Sequence, residues 1–360
     1  MRIGIIADVF DLELKAGIYY YWYNLIKQLM EIDNLNEYIL IHSKKKEIGI
    51  SKKYKDIILS ENKLINSFFL LPRIIKKEKI DLLITNRMVS LLRNLNCKKI
   101  LFIHDITPLL FPSVHKIKDS LFQKILIKIS TKNSDLIIAI SKNTKKDLIK
   151  LFKIQEKKIK IIYAAADKIF KKKNYKKNLE FPEKFILSVS TLEPRKNLTS
   201  LIKAFYLLKK KGIKEKLLIA GAKGWKYKKI FDLVKDLNLT NEIFFLGRVS
   251  DNKLVRLYNL AEVFVYPSIY EGFGMPPLEA MQCGCPVVTS NTSSLPEVVG
   301  NAALKVDPYD IEGMSDAIFK ILKDKRLKKS LIKKGLLNSK RFSWKKSATN
   351  LLKIINRIKK

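Results

Sequence analysis

Short β-branched runs alternate with longer amphipathic runs along almost the whole chain, and few folds satisfy that alternation. In the first half, strand-like runs at 2–7, 38–42, 82–85, 99–103, 136–139 and 159–163 are separated by helical patterns such as 20–30, 121–131 and 142–151. Strands with helices between them pair in parallel and are covered on both faces. Ser141 stands where a cap for the helix from Lys142 is needed. Between 168 and 182 the pattern lapses into the polar stretch KKKNYKKNLEFP, which reads as a linker. A second series then follows, with strands at 185–190, 216–220, 243–246, 263–266 and 286–289. Helical patterns at 198–211, 226–237, 252–260, near 277–282 and at 311–322 lie among them. The expectation is an α/β protein of two doubly wound Rossmann-like domains, residues 1–168 and 182–341, facing across a cleft. In such sheets ligands gather at the carboxyl ends of the strands. Residues 342–360 repeat apolar side chains at Trp344, Ala348, Leu351, Ile355 and Ile358. They read as a helix packing back on the N-terminal domain, with a membrane-surface helix as the other reading.

Charge narrows the partners. The 71 Lys and Arg against 34 Asp and Glu give a formal net charge of +37, carried mostly by lysine. A field of that sign draws nucleic acid, anionic lipid or anionic substrates. The scarcity of arginine, the better reader of phosphates and base edges, argues against specific nucleic-acid readout and leaves contact with an anionic membrane surface open. The start MRIGIIADVF is broken by Asp8 and Asp11 and does not read as a signal peptide, and no apolar run is long enough to span a bilayer. Cys97, Cys283 and Cys285 form no CxxC pair, which suits a reducing cytoplasm.

The run Glu271-Gly272-Phe273-Gly274-Met275-Pro276-Pro277-Leu278-Glu279 carries the chemistry. Two carboxylates flank a glycine turn that opens a helix, where backbone N–H groups favour an anion. Glu271 is expected at the mouth and Glu279 about two turns inside the helix. Such a site suits a ligand with both hydroxyls and phosphates, a sugar nucleotide. Arg195 and Lys196 follow the strand at 185–190 and offer two cations to a diphosphate, or else form a solvated basic turn. Glu193 is placed to orient either cation or to face water, and Asn197 to cap the next helix. Gly17, the 221–224 turn and Gly247 sit after strands, as phosphate or base contacts or as ordinary turns. His104-Asp105 ends the strand at 99–103, as a hydrogen-bonding pair or with a structural histidine. No HxH, HExxH or DxD pattern occurs, so no resident metal and no bound cofactor are expected.

Together the segments 193–197, 271–280, 286–290 and 294–298, with Gly17 and His104-Asp105, resemble glycosyltransferase family 4, the retaining enzymes of GT-B fold. The resemblance runs through most of the chain and is densest from 185 to 308. It implies that Arg195 and Lys196 bind the donor diphosphate, that Glu279 holds the ribose and that Glu271 meets the transferred sugar. It also implies backbone contacts from Phe273, Gly274, Met275 and Pro276, a contact from Gly17, and His104 near the reacting carbon. The family's glycine pair is here Ala16-Gly17.

By this resemblance the protein is a retaining, metal-independent hexosyltransferase acting on a saccharide or lipid-linked saccharide acceptor in surface-polysaccharide or O-antigen synthesis. The lysine excess, the amphipathic tail after Trp344 and a lipid-linked acceptor together lead to the expectation of a peripheral place on the inner face of the cytoplasmic membrane. The phrase from Thr191 to Asn197 is similar to mannosyltransferases that use GDP-mannose, with a UDP-sugar as the open alternative. A sugar-nucleotide 2-epimerase of the same fold and a non-enzymatic polyanion- or membrane-binding protein are the competing readings.

Overall fold

A computed structural model describes every residue except 12–16, 45–48, 51–53, 93, 111–116, 176–180 and 360. The chain divides into two compact units, Met1–Ala164 with Ser343–Lys360, and Ala165–Phe342.

The first unit is built on seven parallel strands: β1 (Arg2–Ile6), β2 (Glu37–His42), β3 (Lys55–Ile58), β4 (Leu82–Thr85), β5 (Lys98–Ile103), β6 (Leu136–Ala139) and β7 (Ile159–Ile161). They lie in the order β3-β2-β1-β4-β5-β6-β7. The helix Gly17–Ile32 buries Tyr21, Trp22, Leu25, Ile26, Leu29 and Met30, a stripe at spacings of three and four. Against it packs the last helix, Trp344–Lys359, whose Trp344, Ala348, Leu351 and Ile355 are buried. The Trp344 ring meets Tyr21 edge-on at 5.4 Å, and Ser347 Oγ donates to the Tyr163 carbonyl at 2.7 Å. The apolar face of this helix is therefore spent inside the unit, which removes it as a membrane-surface element.

The second unit has six parallel strands: β8 (Phe185–Val189), β9 (Lys216–Ala220), β10 (Ile243–Gly247), β11 (Val263–Tyr266), β12 (Val287–Ser290) and β13 (Ala303–Val306). Their order is β10-β9-β8-β11-β12-β13. Both sheets are thus doubly wound, with the strand order reversing beside β1 and beside β8. The segment entering this unit is tied to it, since Lys173 N–H donates to Asn259 Oδ1 at 2.7 Å and Asn259 Nδ2 to the Lys171 carbonyl at 3.1 Å.

The sequence pattern anticipates every strand except β3 and β13, both at sheet edges. In β3 only Ile57 is partly covered, and charged residues stand in both strands. An edge strand is protected by charge and therefore lacks the apolar signal that marks a central one.

Candidate functional site

The switch point of the second sheet puts the loops after β8 and β11 side by side, because those strands are direct neighbours. After β8 the chain forms a tight 3-10 turn, Pro194–Lys196, in which proline presets the backbone. The turn at 221–224 braces it. Leu192 N–H donates to the Ala222 carbonyl at 2.9 Å, and Gly224 N–H to the Leu192 carbonyl at 3.1 Å. A Cβ on Gly221 would lie 1.9 Å from the Ser190 carbonyl oxygen, so only glycine permits this approach. Gly221 N–H donates in turn to the Gly247 carbonyl at 2.7 Å, which fixes the end of β10.

The loop after β11 delivers Glu271 to those cations. Its Oε1 accepts from Lys196 Nζ at 2.5 Å, Ser268 Oγ at 2.6 Å and Tyr266 Oη at 2.8 Å. Its Oε2 accepts from Arg195 Nη1 at 3.0 Å. The same guanidinium donates to the Tyr270 carbonyl at 2.8 Å and, through Nη2, to Glu193 Oε1 at 2.7 Å. Two acids and two cations balance in this cluster. Burial would raise the Glu271 carboxyl, but Lys196 and Arg195 overcome it and hold the group at about 2. Burial and the Glu271 charge keep the Tyr266 phenol protonated, so it donates.

The glycine turn is pinned from the next strand crossing. Glu271 N–H donates to Ser293 Oγ at 3.0 Å, while Ser294 Oγ lies 2.9 Å from the Glu271 carbonyl and 2.8 Å from that of Phe273. Gly274 begins the helix Met275–Gln282 at φ 103°, and a Cβ there would come within 2.6 Å of Leu295 Cδ2. Pro276 and Pro277 carry no N–H, so Pro276 cannot supply the amide contact expected of it. The donors at this helix start are those of Gly274 and Met275.

The two glutamates differ from expectation in depth. Glu271 is buried with its charge paired, whereas Glu279, four residues past Met275, is the half-buried one. Its Oε2 accepts from Tyr258 Oη at 3.1 Å. Burial, with repulsion from Asp251 and Asp167, lifts its carboxyl to about 7. Asn197 also departs from its expected role. It adopts φ 55° and its side chain caps no N–H of the following helix: Oδ1 accepts from the Ser200 hydroxyl at 2.8 Å, while Nδ2 donates to the carbonyls of Pro267 at 3.2 Å and Pro308 at 2.6 Å.

Gly17 and His104 belong to the first unit. Gly17 is the exposed first residue of its helix, and Ala16 falls outside the described residues. His104 does not pair through its ring with Asp105. Trp22 Nε1 donates to His104 Nε2 at 3.1 Å, and Asp105 accepts from the Thr107 N–H at 3.0 Å. Because indole only donates, Nε2 is an acceptor and the imidazole is neutral. Burial lowers its pKa to about 4.

Residues 167–336 match the family described as Glycosyl transferases group 1, and residues 45–168 match Glycosyltransferase Family 4. The chain is 34% identical to O-antigen chain mannosyltransferase B of Escherichia coli over 257 residues, covering 69% of this chain and 68% of that one. The chain belongs to glycosyltransferase family 4. It is also 31% identical to the serotype-specific mannosyltransferase WbdA of Escherichia coli, over 71% of this chain but only 33% of that longer protein. In structure it is similar to HepE of Anabaena, solved with UDP and glucose, at a TM-score of 0.78 and 16% identity over 99% of both chains. That likeness is one of fold, and the two Rossmann-like domains of this family 4 glycosyltransferase are those of the GT-B class.

Within the family 4 site, sequence reasoning brings Arg195, Lys196, Glu271, Gly274 and Met275 to one place but passes over Tyr266, Ser268 and Ser293. The first two stand at or just after the end of β11, facing back on Glu271. Their one signal is position, since polar side chains at the carboxyl end of a strand beside a switch point are candidates for a site.

Proposed function

We propose that this glycosyltransferase is a retaining, nucleotide-sugar-dependent hexosyltransferase that moves mannose from GDP-mannose to a saccharide or lipid-linked saccharide acceptor. The single observation that carries the reading is the buried Arg195–Glu271–Lys196 cluster at the switch point of the second sheet, with Glu279 one turn into the adjoining helix. Oε1 of Glu271 is saturated by three donors, while among the described residues Oε2 accepts only from Arg195. A hydroxyl of the transferred sugar would be accepted at Oε2. The half-buried Glu279 would take the ribose hydroxyls, which repay the burial of its charge. Two buried hydroxyls at the carboxyl ends of strands, Ser190 Oγ and Ser290 Oγ, have no partner among the described residues and suit a polar ligand at this edge.

Catalysis then rests on fixed charge. As the donor's glycosidic bond breaks, negative charge develops on the diphosphate, and the Arg195 guanidinium and Lys196 ammonium stand ready without reorganisation. Glu193 and Glu271 hold those cations in place rather than leaving them to solvent. Retention would follow from attack on the face that the diphosphate leaves, with the diphosphate taking the acceptor's proton. Gly17 and His104 would act from the first unit, the neutral imidazole as a hydrogen-bonding partner to the sugar or acceptor. The preference for mannose and for a polysaccharide acceptor is supported by the likeness to O-antigen chain mannosyltransferase B and to the serotype-specific mannosyltransferase WbdA. The lysine excess supports work at an anionic membrane face, and no helix among the described residues is long and apolar enough to cross a membrane.

Thermal-shift and calorimetric screening of GDP-, UDP-, ADP- and dTDP-sugars tests the donor, because a ligand that binds only the folded state raises the midpoint by mass action. GDP-mannose should give the largest shift. A clear preference for a UDP-sugar would overturn that donor and leave the transferase reading standing. No response to any nucleotide sugar would overturn the reading itself.

A further inference from the structure

Phe68 and Phe69 point outward from a turn whose polar residues point inward. The segment Asn66–Leu70 is a single π-helical turn, and in it Asn66 and Ser67 are buried while Phe69 is 60% exposed. The inward pair is fully used. Asn66 exchanges hydrogen bonds with Ser60 at 2.6 and 2.8 Å, and Ser67 Oγ bonds the Val89 carbonyl. Leu64 and Ile65, just before this turn, are exposed as well. This is the reverse of the usual arrangement and leaves large apolar side chains in water.

A second segment does the same. The helix Ile117–Asn133 buries Leu126 and Ile127 on one side and exposes Leu121, Phe122 and Ile125 on the other. Both segments pack on one short element, the 3-10 turn Met88–Leu91, so the two exposed patches flank a common turn. Seven exposed aliphatic and aromatic side chains gathered in this way mark an interaction surface.

The charge around them selects the partner. From residue 64 to 77 the chain carries exposed Arg73, Lys76 and Lys77 and no acid, and the helix adds exposed Lys124 and Lys128. A second copy of a chain with net charge +37 would be repelled from such a rim. An anionic lipid surface fits both features, taking the apolar side chains among its acyl chains and the lysines at its headgroups.

We propose that the surface formed by 64–69 and 121–128 docks the protein on an anionic bilayer, with Phe69 and Phe122 inserted as anchors. The inference deepens the membrane-linked acceptor reading by naming the face that touches lipid, and it does not depend on the donor. It also replaces the C-terminal helix, whose apolar stripe is buried, as the membrane element.

Flotation of the full-length protein with phosphatidylcholine vesicles, alone or mixed with phosphatidylglycerol, tests it. Binding should require the anionic lipid and weaken as salt screens the lysines over a Debye length of about 8 Å. Phe69→Ser with Phe122→Ser should weaken it by about ten-fold or more, and Lys124→Gln with Lys128→Gln by roughly five-fold per lysine. The thermal midpoint and the donor-induced shift should stay as in the wild type, because these side chains lie on the surface. Equal flotation of the phenylalanine variant, or no binding by the wild type at low salt, overturns the proposal. A wild-type dimer that the variant splits also overturns it, by showing that a second copy covers the patch. Vesicle binding without any donor response supports the surface while overturning the proposed donor chemistry, so the two failures read differently.

Discussion

Lys196 Nζ lies 2.5 Å from Glu271 Oε1 although 75 residues separate them in the chain. The pair exists because β8 and β11 are neighbours and each ends in a loop that turns toward the other. Both groups are buried, so neither charge is affordable without its partner. Breaking the pair from one side should therefore cost more than removing it altogether.

Glu271→Gln should lower stability by about 3–5 kcal/mol, since it strands the buried Lys196 ammonium and takes from Arg195 one of its two carboxylates. Lys196→Met should cost less, because Arg195 still faces the carboxylate. The double variant should be more stable than the sum of the singles requires, and chemical denaturation of all four proteins measures that coupling. Simple additivity would falsify the cluster. The acid limb carries a further signature. With its folded value at about 2 against an ordinary 4.5, Glu271 contributes stability that is complete above the ordinary value and disappears as pH falls toward 2.

Glu279 should impose the opposite slope. Its folded value of about 7 stands above the ordinary 4.5, so between the two the native state holds a proton that the unfolded chain has lost. Stability should fall as pH rises through this window, and Glu279→Gln should flatten the dependence of the melting midpoint from about pH 5 to about pH 8. Donor binding should run the other way, because ribose hydroxyls donate best to the ionised carboxylate. Affinity should rise with pH through about 7 with release of a proton, seen by calorimetry in buffers of different ionisation heat. A pH-independent affinity would remove Glu279 from the ribose.

His104 should stay neutral throughout the physiological range. Its value of about 4, below the ordinary 6.5, means that the native state resists a proton the unfolded state accepts, so stability drops as pH falls between those values. The imidazole carbon-bound proton should show no NMR titration step above about pH 5. Trp22→Phe, which removes the indole donor from Nε2, should shift that step upward, and an unchanged step would mean that the hydrogen bond does not hold the tautomer.

The last helix should be structural. Ile355 is fully buried against the first unit, and Ile355→Ala should cost about 2–5 kcal/mol in denaturant unfolding. Removal of 343–360 should uncover the helix Gly17–Ile32 and abolish cooperative folding of the first unit. A truncated protein with an unchanged midpoint would contradict this.

The sequence by itself determined the two parallel sheets, because a strand buried on both faces must be apolar along its length and a helix on one face must repeat every three or four residues. It also determined local details of one turn or less. The Ser141 hydroxyl accepts from the Thr144 N–H at 3.0 Å as a cap should, and the prolines at 276 and 277 deny two amides to any ligand. What only the tertiary structure decided lies beyond that range. The edge strand β3 has too little burial to leave a pattern, and β13 is only four residues long with Lys305 among them. The apolar stripe from Trp344 reads equally well for lipid or for protein until the helix Gly17–Ile32 is seen beneath it. Lys196 and Glu271 each look like groups bound for solvent or ligand, and only the crossing from β8 to β11 makes them one buried pair. Pattern records which face of an element is apolar, whereas the order of strands in a sheet decides which charge meets which.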